Sequence, residues 1–397
     1  MNYIIFPGVL DLRKGGPSGY IANLNKGLEL IEEEKKVKII SNQTNNISSS
    51  NKQKKYKQIL KSLIKYYSPL IEKRFEKSLI GDNFKSITNQ IDQINFSPND
   101  IIHVHSVFDF NTILRKQIPG KIVFTPHTPE SISEETVNFI KSDYRNSNLN
   151  LENLKGKIKD IENNAFKKCE YFIFPSKEAM EIYADFIDDF HNIMRNKKIF
   201  YNYTGCEKLN YKLKRTEFRK KYNISEDTFV ISYIGRHNKI KGFDVFVEVA
   251  KEIEKKGLNI LFVSGGKGNI KPESNNFIEF GWTDDPGSII NASDLFILPN
   301  RNTYFDLVLL EVLSIGTPVL ASNTGGNKSV ATLTSGVNLF ESENVKEIID
   351  KILILKDNNE VLENMRNENL KCYYENFTLQ KFSERYLKIL EKINQSN

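Results

Sequence analysis

Arg236 and Lys241 are the first candidates for chemistry, because both lie in the segment GRHNKIKGFD, which begins at Gly235 directly after an apolar strand pattern. Loops at the carboxyl ends of parallel strands bind ligands in open α/β sheets. Two cations in such a loop suit a diphosphate whose negative charge grows as it leaves. An exposed basic turn explains this segment equally well when it is taken alone.

Glu311 is the candidate acid, in the segment PNRNTYFDLVLLEVLSIGTPVLASNTGG that covers residues 299–326. The segment predicts a loop, a helix over residues 307–315, a strand and a glycine loop. Unpaired amides near Phe305, Asp306 and Leu307 would favour a phosphate at the helix start. Glu311, about one turn into the helix, could accept two hydrogen bonds from the vicinal hydroxyls of a ribose. The Asp306 carboxylate is expected to be an ordinary N-cap, with contact to sugar hydroxyls as the alternative.

The amino-terminal half offers a glycine loop and histidines at strand ends. Residues 14–20, KGGPSGY, follow the first strand pattern, and glycines there let backbone amides approach a phosphate or a sugar. His103, His105 and His127 each end a buried-strand pattern, where a histidine can bond a sugar hydroxyl or transfer a proton. A satisfied structural histidine is the alternative. His127, in the proline-bracketed loop TPHTP, is the one we expect to touch substrate.

Composition limits the class of protein. The 397 residues suit two domains of roughly 150 to 200 residues each, and 39% hydrophobic with 27% charged residues is typical of a soluble globular protein. There is no apolar run of about 18 residues, and the first residues predict a strand, not a signal peptide, so we expect the protein in the cytosol. The charge of +6 is mild, with no module for binding nucleic acid.

Metal chemistry is not expected. The three cysteines are far apart, and the sequence has neither an HExxH motif nor a D-x-D pair that could hold the metal of a nucleotide-sugar enzyme. We therefore expect no metal and no cofactor.

Strand and helix patterns alternate through both halves, which predicts parallel sheets wound by helices. The predicted strands are residues 3–6, 37–40, 101–105, 121–125 and 171–175, then 228–234, 259–264, 276–280, 294–299, 318–322 and 337–340. Two such sheets predict two Rossmann-like α/β domains, residues 1–204 and 205–377, with a helix over 211–222 opening the second. A cleft between them is expected.

Residues 52–77 form a strongly basic amphipathic segment interrupted by Pro69. Attraction to the inner face of an anionic membrane, or to an acidic acceptor, is one interpretation. A solvated helix that covers the first domain is the favoured one.

Together, and in this order, the motifs GGPSG, TPHTPE, GRHNKIKGFD, GWTDDPGSIINASDLFILP and FDLVLLEVLSIGTPVLASNTGG resemble the retaining glycosyltransferases of family 4, which have the GT-B architecture. The resemblance covers most of the chain and is more specific in its second half. It implies two Rossmann-like domains facing a central cleft, with the helix of residues 378–397 packing back on the first domain.

The resemblance also implies roles for single residues. Arg236 and Lys241 would grip the donor diphosphate and Glu311 the ribose. Gly16 would lie against the diphosphate or sugar, and His127 would contact the transferred sugar. The remaining donor contacts would come from Gly235, Trp282 beside the base, Asn302, Tyr304 and the backbone amides of Phe305, Asp306, Leu307 and Val308.

Thr303 departs from the family pattern. The family has two glutamates separated by seven residues, and Glu311 is the second of them, so the first is missing at Thr303. The usual family glycine at position 306 is Asp306 here. The hypothesis from the sequence is that Asp306, together with Asn302, takes over part of the sugar contact.

The predicted function is retaining, metal-independent transfer of a hexose or N-acetylhexosamine from a UDP-sugar to a surface glycan or glycoprotein of a bacterium. A non-catalytic GT-B subunit that partners a glycosyltransferase and a nucleotide-sugar epimerase are the alternatives. Assembly into a homo-oligomer stays open.

Overall fold

The computed structural model describes residues 1–12, 16–42, 64 and 66–396, which form two compact units. The first unit contains Met1–Phe174, Met180–Asn202 and Ser383–Asn397. The second contains Pro175–Ala179 and Tyr203–Phe382. Residues 52–63 and 65 of the basic segment 52–77 lie outside the described residues.

The first unit is built on a parallel sheet in the order β2-β1-β3-β4-β5-β6. Its strands are β1 Asn2–Phe6, β2 Val37–Ser41, β3 Ile101–Val104, β4 Lys121–Phe124, β5 Tyr171–Phe174 and β6 Lys198–Tyr201. β3 and β5 are buried along their whole length, as expected of strands covered on both faces. The sequence analysis missed β6, whose edge position and Lys198 weaken its apolar pattern.

The helices of the first unit follow the strands. In chain order they are α1 Gly16–Leu30, α2 Ser68–Phe75, α3 Thr88–Ile91, α4 Val107–Lys116, α5 Ile132–Tyr144, α6 Glu152–Lys168, α7 Lys177–Glu181 at the junction with the second unit, and α8 Phe190–Arg195. Short 3₁₀ turns cover Glu34–Lys36, Lys85–Ile87 and Ile182–Asp185, and a π-helical turn covers Glu76–Ile80. Pro69 lies in the first turn of α2, where a missing amide costs nothing, so it starts this helix.

The second unit has the same architecture, with the parallel order β12-β11-β10-β7-β8-β9. Its strands are β7 Phe229–Ile234, β8 Ile260–Gly265, β9 Phe277–Glu279, β10 Leu295–Leu298, β11 Val319–Ser322 and β12 Val337–Phe340. Its helices are α9 Arg215–Lys221, α10 Phe243–Lys255, α11 Pro286–Ala292, α12 Leu307–Ile315, α13 Gly325–Ala331, α14 Val345–Lys356 and α15 Asn359–Asn376, and α16 Leu379–Gln395 ends the chain. The predicted α/β fold with two parallel sheets is confirmed.

The helix predicted over residues 211–222 begins later than expected, at Arg215. The reason lies in two backbone amides ahead of it. The Lys212 amide donates to the Asp285 carboxylate at 3.3 Å, and the Leu213 amide donates to the Ser288 hydroxyl at 2.9 Å. Because these bonds hold the chain in an extended path, the first turn of the predicted helix does not form.

The last helix, α16, returns to the first unit. The Tyr386 hydroxyl lies 2.9 Å from Nδ1 of His103, and the Ser383 hydroxyl donates to the carbonyl of Leu24 at 3.1 Å. The apolar stripe of this helix is buried there, which explains why the stripe exists. Among the described residues, no helix combines the length and the apolar character needed to cross a membrane.

Candidate functional site

The loop that follows β7 carries Arg236 and Lys241, and Tyr233 fixes its shape. The buried Tyr233 hydroxyl donates to the carbonyl of Arg236 at 2.8 Å and lies 3.4 Å from the carbonyl of Lys241. The Asn238 side chain accepts the Lys241 amide at 2.9 Å. Both ends of the loop are therefore held by hydrogen bonds before any ligand arrives.

Gly242 brings this loop against the loop that follows β10. Its φ is +66°, and a Cβ there would lie 1.8 Å from the carbonyl oxygen of Pro299, so only glycine permits the approach. Arg301 then ties the two loops together through two bonds of 2.7 Å to the Asp244 carboxylate. As a result Lys241 lies beside the residues that precede α12.

The Asp306 carboxylate is the centre of a cluster at this point. Lys241 Nζ lies 2.8 Å from Oδ1 and 3.1 Å from Oδ2 of Asp306, and the Thr303 hydroxyl donates to Oδ2 at 2.9 Å. The Asn300 amide also donates to Oδ2. Asp306 stands at the N-cap position of α12, but its side chain makes no capping bond, so the expected ordinary N-cap is wrong.

Glu311 lies one turn further along α12 and is partly buried. No described residue donates a hydrogen bond to its carboxylate. Burial, with a smaller contribution from the nearby Asp306 charge, raises the pKa of Glu311 to about 7. A carboxyl group that receives no hydrogen bond from the described residues is suited to accept the hydroxyls of a ligand.

Arg236 and Trp282 are the exposed members of this edge. In the part of the chain that the structure describes, the Arg236 guanidinium makes no hydrogen bond or ion pair. Trp282 follows β9, and 69% of its surface is exposed. The loops after β7, β8 and β9 are joined by backbone bonds, from Gly235 to Gly265 at 3.0 Å and from Gly266 to Gly281 at 2.6 Å.

The remaining residues predicted to contact the sugar donor lie in the loop before α12 or in its first turn. Gly326 approaches this loop closely, because its Cβ would lie 2.7 Å from the carbonyl of Tyr304 and its amide donates there at 3.0 Å. Thr303 and Tyr304 are buried, whereas Asn302, Phe305, Leu307 and Val308 are partly exposed. The second unit thus brings together Gly235, Arg236, Lys241, Trp282, Asn302, Thr303, Tyr304, Phe305, Asp306, Leu307, Val308 and Glu311 along one edge of its sheet.

Gly16 and His127 belong to the first unit. Gly16 begins α1 with φ +67°, and no atom of the described residues lies within 4 Å of a Cβ placed there. His127 Nε2 lies 2.9 Å from Nδ1 of His105, and the ring of Tyr20 contacts both histidines. Burial lowers the pKa of His127 to about 3, so its imidazole is neutral near pH 7 and can act only as a hydrogen-bond donor or acceptor.

Sequence reasoning missed three residues of the second unit. Asn300 holds Asp306, while Arg301 and Asp244 join the two loops. Asn300 and Arg301 follow a strand directly, and that position was a usable signal. Asp244 ends the motif GRHNKIKGFD, but the sequence suggested no role for it because its partner, Arg301, is distant in sequence. Among the described residues, no group of histidine, cysteine or acidic side chains is placed to hold a metal ion.

A known family model matches most of the second unit. Residues 214–371, all in the second unit, match the family model of Glycosyl transferases group 1. The chain is 25% identical over 308 residues to the N-acetyl-alpha-D-glucosaminyl L-malate synthase of Bacillus anthracis, which covers 72% of this chain and 73% of that protein.

Solved structures define the fold. The sucrose-phosphate synthase of Thermosynechococcus elongatus is similar with a TM-score of 0.64 and 13% identity, over 100% of this chain and 99% of that one. Anabaena HepE in complex with UDP-glucose is similar with a TM-score of 0.61 and 11% identity, over 99% of this chain and 100% of that one. The chain therefore shares the fold of these structures, and residues 214–371 of its second unit match the model of Glycosyl transferases group 1.

Proposed function

We propose that this protein is a retaining glycosyltransferase of the family 4 type. It transfers a hexose or N-acetylhexosamine from a UDP-sugar to a hydroxyl of a glycan or glycoprotein. The observation that carries the proposal is the edge of the second sheet, where Arg236, Lys241, Glu311 and the first turn of α12 are held together by two glycine-dependent loop contacts.

The donor diphosphate binds between the Arg236 guanidinium and the unpaired amides at the start of α12. Arg236 is exposed and free to form a bidentate contact with phosphate oxygens. The amides of Leu307 and Val308 lie in the first turn of α12 and have no acceptor within the helix, and the dipole of α12 favours negative charge there. Glu311 accepts the ribose hydroxyls, and Trp282 lies beside the base.

The chemical step breaks the bond between the anomeric carbon and the phosphate oxygen and forms a bond to the acceptor oxygen on the same face. The departing phosphate takes the proton of the acceptor hydroxyl, so no side-chain nucleophile is needed. Negative charge grows on the diphosphate during this step. Arg236 and Lys241 stabilise it more strongly in the transition state than in the ground state, which is the source of the rate enhancement.

The preference for uridine rests on likeness alone. HepE, whose fold this chain shares, has been solved with UDP-glucose. The Bacillus anthracis relative is named for an N-acetylglucosaminyl group, which supports a hexose or N-acetylhexosamine as the transferred sugar.

The single tryptophan of the chain gives a direct test of donor binding. We expect a bound nucleotide to quench Trp282 fluorescence, because the exposed indole lies beside the base. UDP should do so at lower concentration than GDP, ADP or dTDP, because uridine is the proposed base of the donor. The control is Trp282→Phe, which removes the optical signal while calorimetry still detects UDP. Arg236→Met should weaken UDP binding by about 10-fold or more, as a charge-assisted contact of about 1.5–3 kcal/mol is lost.

Activity assays then separate the alternatives. The protein is incubated with UDP-glucose, UDP-galactose and their N-acetyl forms, with and without glycan acceptors. Product that forms only with an acceptor and keeps the anomeric configuration of the donor supports the proposal. An isomer of the donor formed without acceptor indicates an epimerase, and nucleotide binding without any product indicates a non-catalytic subunit. If no nucleoside diphosphate binds, the proposed function is wrong.

A further inference from the structure

Three protein side chains donate hydrogen bonds to the Asp306 carboxylate. Oδ1 faces Lys241 Nζ at 2.8 Å, while Oδ2 receives Lys241 at 3.1 Å, Thr303 at 2.9 Å and the Asn300 amide. Of these side chains, Thr303 is 3% exposed and Asn300 is fully buried. The donors come from two loops that are distant in sequence and are joined by the Gly242 contact.

These contacts use the acceptor capacity of the carboxylate. An ionised carboxyl group has about four lone-pair sites, two on each oxygen. Three of the four donor contacts converge on Oδ2, and Lys241 takes one of the two sites on Oδ1. A sugar hydroxyl that donated to Oδ2 would have to displace a protein donor, leaving Lys241 or the buried Thr303 and Asn300 without that partner, and one that donated to Oδ1 would share this oxygen with Lys241. Leaving such a group unpaired is unfavourable, so Asp306 is poorly suited to replace the missing glutamate as a sugar contact.

We propose that Asp306 is a positioning residue that holds Lys241 for the departing phosphate, and that Thr303 and Asn300 aim the Asp306 carboxylate at Lys241. This inference rests on the proposed function. An ammonium group has three donors, and at most two of them point at Asp306, so at least one remains for a phosphate oxygen. In this chain, Thr303 orients the Asp306 carboxylate, and Asp306 in turn orients Lys241.

The proposal predicts which ligands change in affinity when Asp306 is replaced. A carboxylate that contacts the sugar affects the binding of UDP-sugars and leaves UDP unaffected. A carboxylate that acts through Lys241 affects UDP and UDP-sugars by the same factor, because both carry the diphosphate. It also affects catalysis separately, because a lysine that is no longer held is badly placed when the phosphate leaves.

The first experiment needs no ligand. The rate at which acetic anhydride acylates Lys241 is measured by mass spectrometry in the full-length protein and in the Asp306→Asn, Thr303→Val and Thr303→Ser variants. We expect Asp306→Asn to accelerate acylation at least about threefold, since the amine is released from a carboxylate. Thr303→Val should give a smaller increase and Thr303→Ser none, because serine keeps the hydroxyl. Acylation of the exposed Lys267 is the internal reference, and an unchanged rate at Lys241 in Asp306→Asn overturns the proposal.

The second experiment uses UDP and UDP-N-acetylglucosamine as probes, with calorimetry and turnover. Asp306→Asn should tighten both by a similar factor of about five, because the charge of Lys241 is then no longer neutralised by a carboxylate, and should lower kcat by about 10-fold. In a Lys241→Met background the same substitution should leave kcat unchanged. Weaker binding of the UDP-sugar with unchanged binding of UDP would assign Asp306 to the sugar instead. If the wild-type protein binds neither probe, the proposed function fails, while the acylation rates still decide whether Asp306 holds Lys241.

Discussion

Replacing Glu311 by glutamine should make the protein more stable at neutral and alkaline pH while it weakens nucleotide binding. The pKa of Glu311 is raised from 4.5 to about 7 by burial and by Asp306. At roughly 1.4 kcal/mol per pH unit, this shift corresponds to about 3 kcal/mol. Glutamine keeps the shape of the side chain and removes the charge that burial opposes.

The direction of the pH dependence follows from the sign of the shift. Below pH 4.5 the group is protonated in both the folded and the unfolded chain, so it contributes nothing. Between 4.5 and about 7 the unfolded chain loses the proton and the folded protein keeps it, so stability falls as pH rises. The full cost is present above about pH 7. The advantage of Glu311→Gln should therefore be largest at pH 8 and shrink to under about 1 kcal/mol at pH 5.

Thermal unfolding at pH 5, 6, 7 and 8 measures this difference. For a domain of this size about 3 kcal/mol raises Tm by roughly 6–12 °C, so we expect a shift of that order at pH 8. The control is Glu273→Gln, an exposed site in the same unit, which should leave Tm unchanged at every pH. A Glu311→Gln protein that is no more stable than wild type at pH 8, or whose advantage does not change with pH, refutes the reasoning. UDP affinity should fall by about 10-fold in the same variant, since one ribose acceptor is weakened.

Two further predictions concern the frame that positions the site. Arg219 is fully buried and shares the Asp294 carboxylate with the more exposed Arg215. In urea unfolding, Arg219→Met should therefore destabilise the protein by about 3 kcal/mol and Arg215→Met by under about 1 kcal/mol. Equal losses would contradict the burial argument. Gly242→Ala should lower both Tm and UDP affinity, because its Cβ collides with a carbonyl of the next loop, whereas Gly257→Ala, with a similar φ of +63° and open space, should cost only about 1 kcal/mol and leave UDP binding intact.

Strand positions could be predicted because they depend on local apolar patterns. Strands such as β3 and β5, buried throughout, appear in the sequence as short apolar runs bounded by polar residues or proline. The edge strand β6 was missed because none of its residues is buried. The start of α9 was predicted too early because the amides of Lys212 and Leu213, just before the helix, donate hydrogen bonds to the side chains of Asp285 and Ser288, which are distant in sequence.

The candidate site could be predicted by residue type but not by pairing. The position of Glu311 and the basic character of the Arg236 loop are visible in the sequence, because each follows from one element. The partnership of Lys241 with Asp306 is not visible, since 65 residues separate them and their loops are joined by tertiary contacts, the approach of Gly242 to Pro299 and the bonds from Arg301 to Asp244.

Thr303 and Asp306 show why a departure from a family pattern is hard to interpret from sequence. Considered separately, Thr303 is a lost carboxylate and Asp306 is a repulsive charge beside a diphosphate. Their contact changes both interpretations, because the Thr303 hydroxyl donates to Asp306 and Asp306 is neutralised by Lys241. The carboxylate therefore adds little net repulsion at the start of α12, and the lysine gains a fixed direction. If the proposed function holds, the edge can still bind a phosphate with threonine at 303 and aspartate at 306, and what these two residues change is how Lys241 is held.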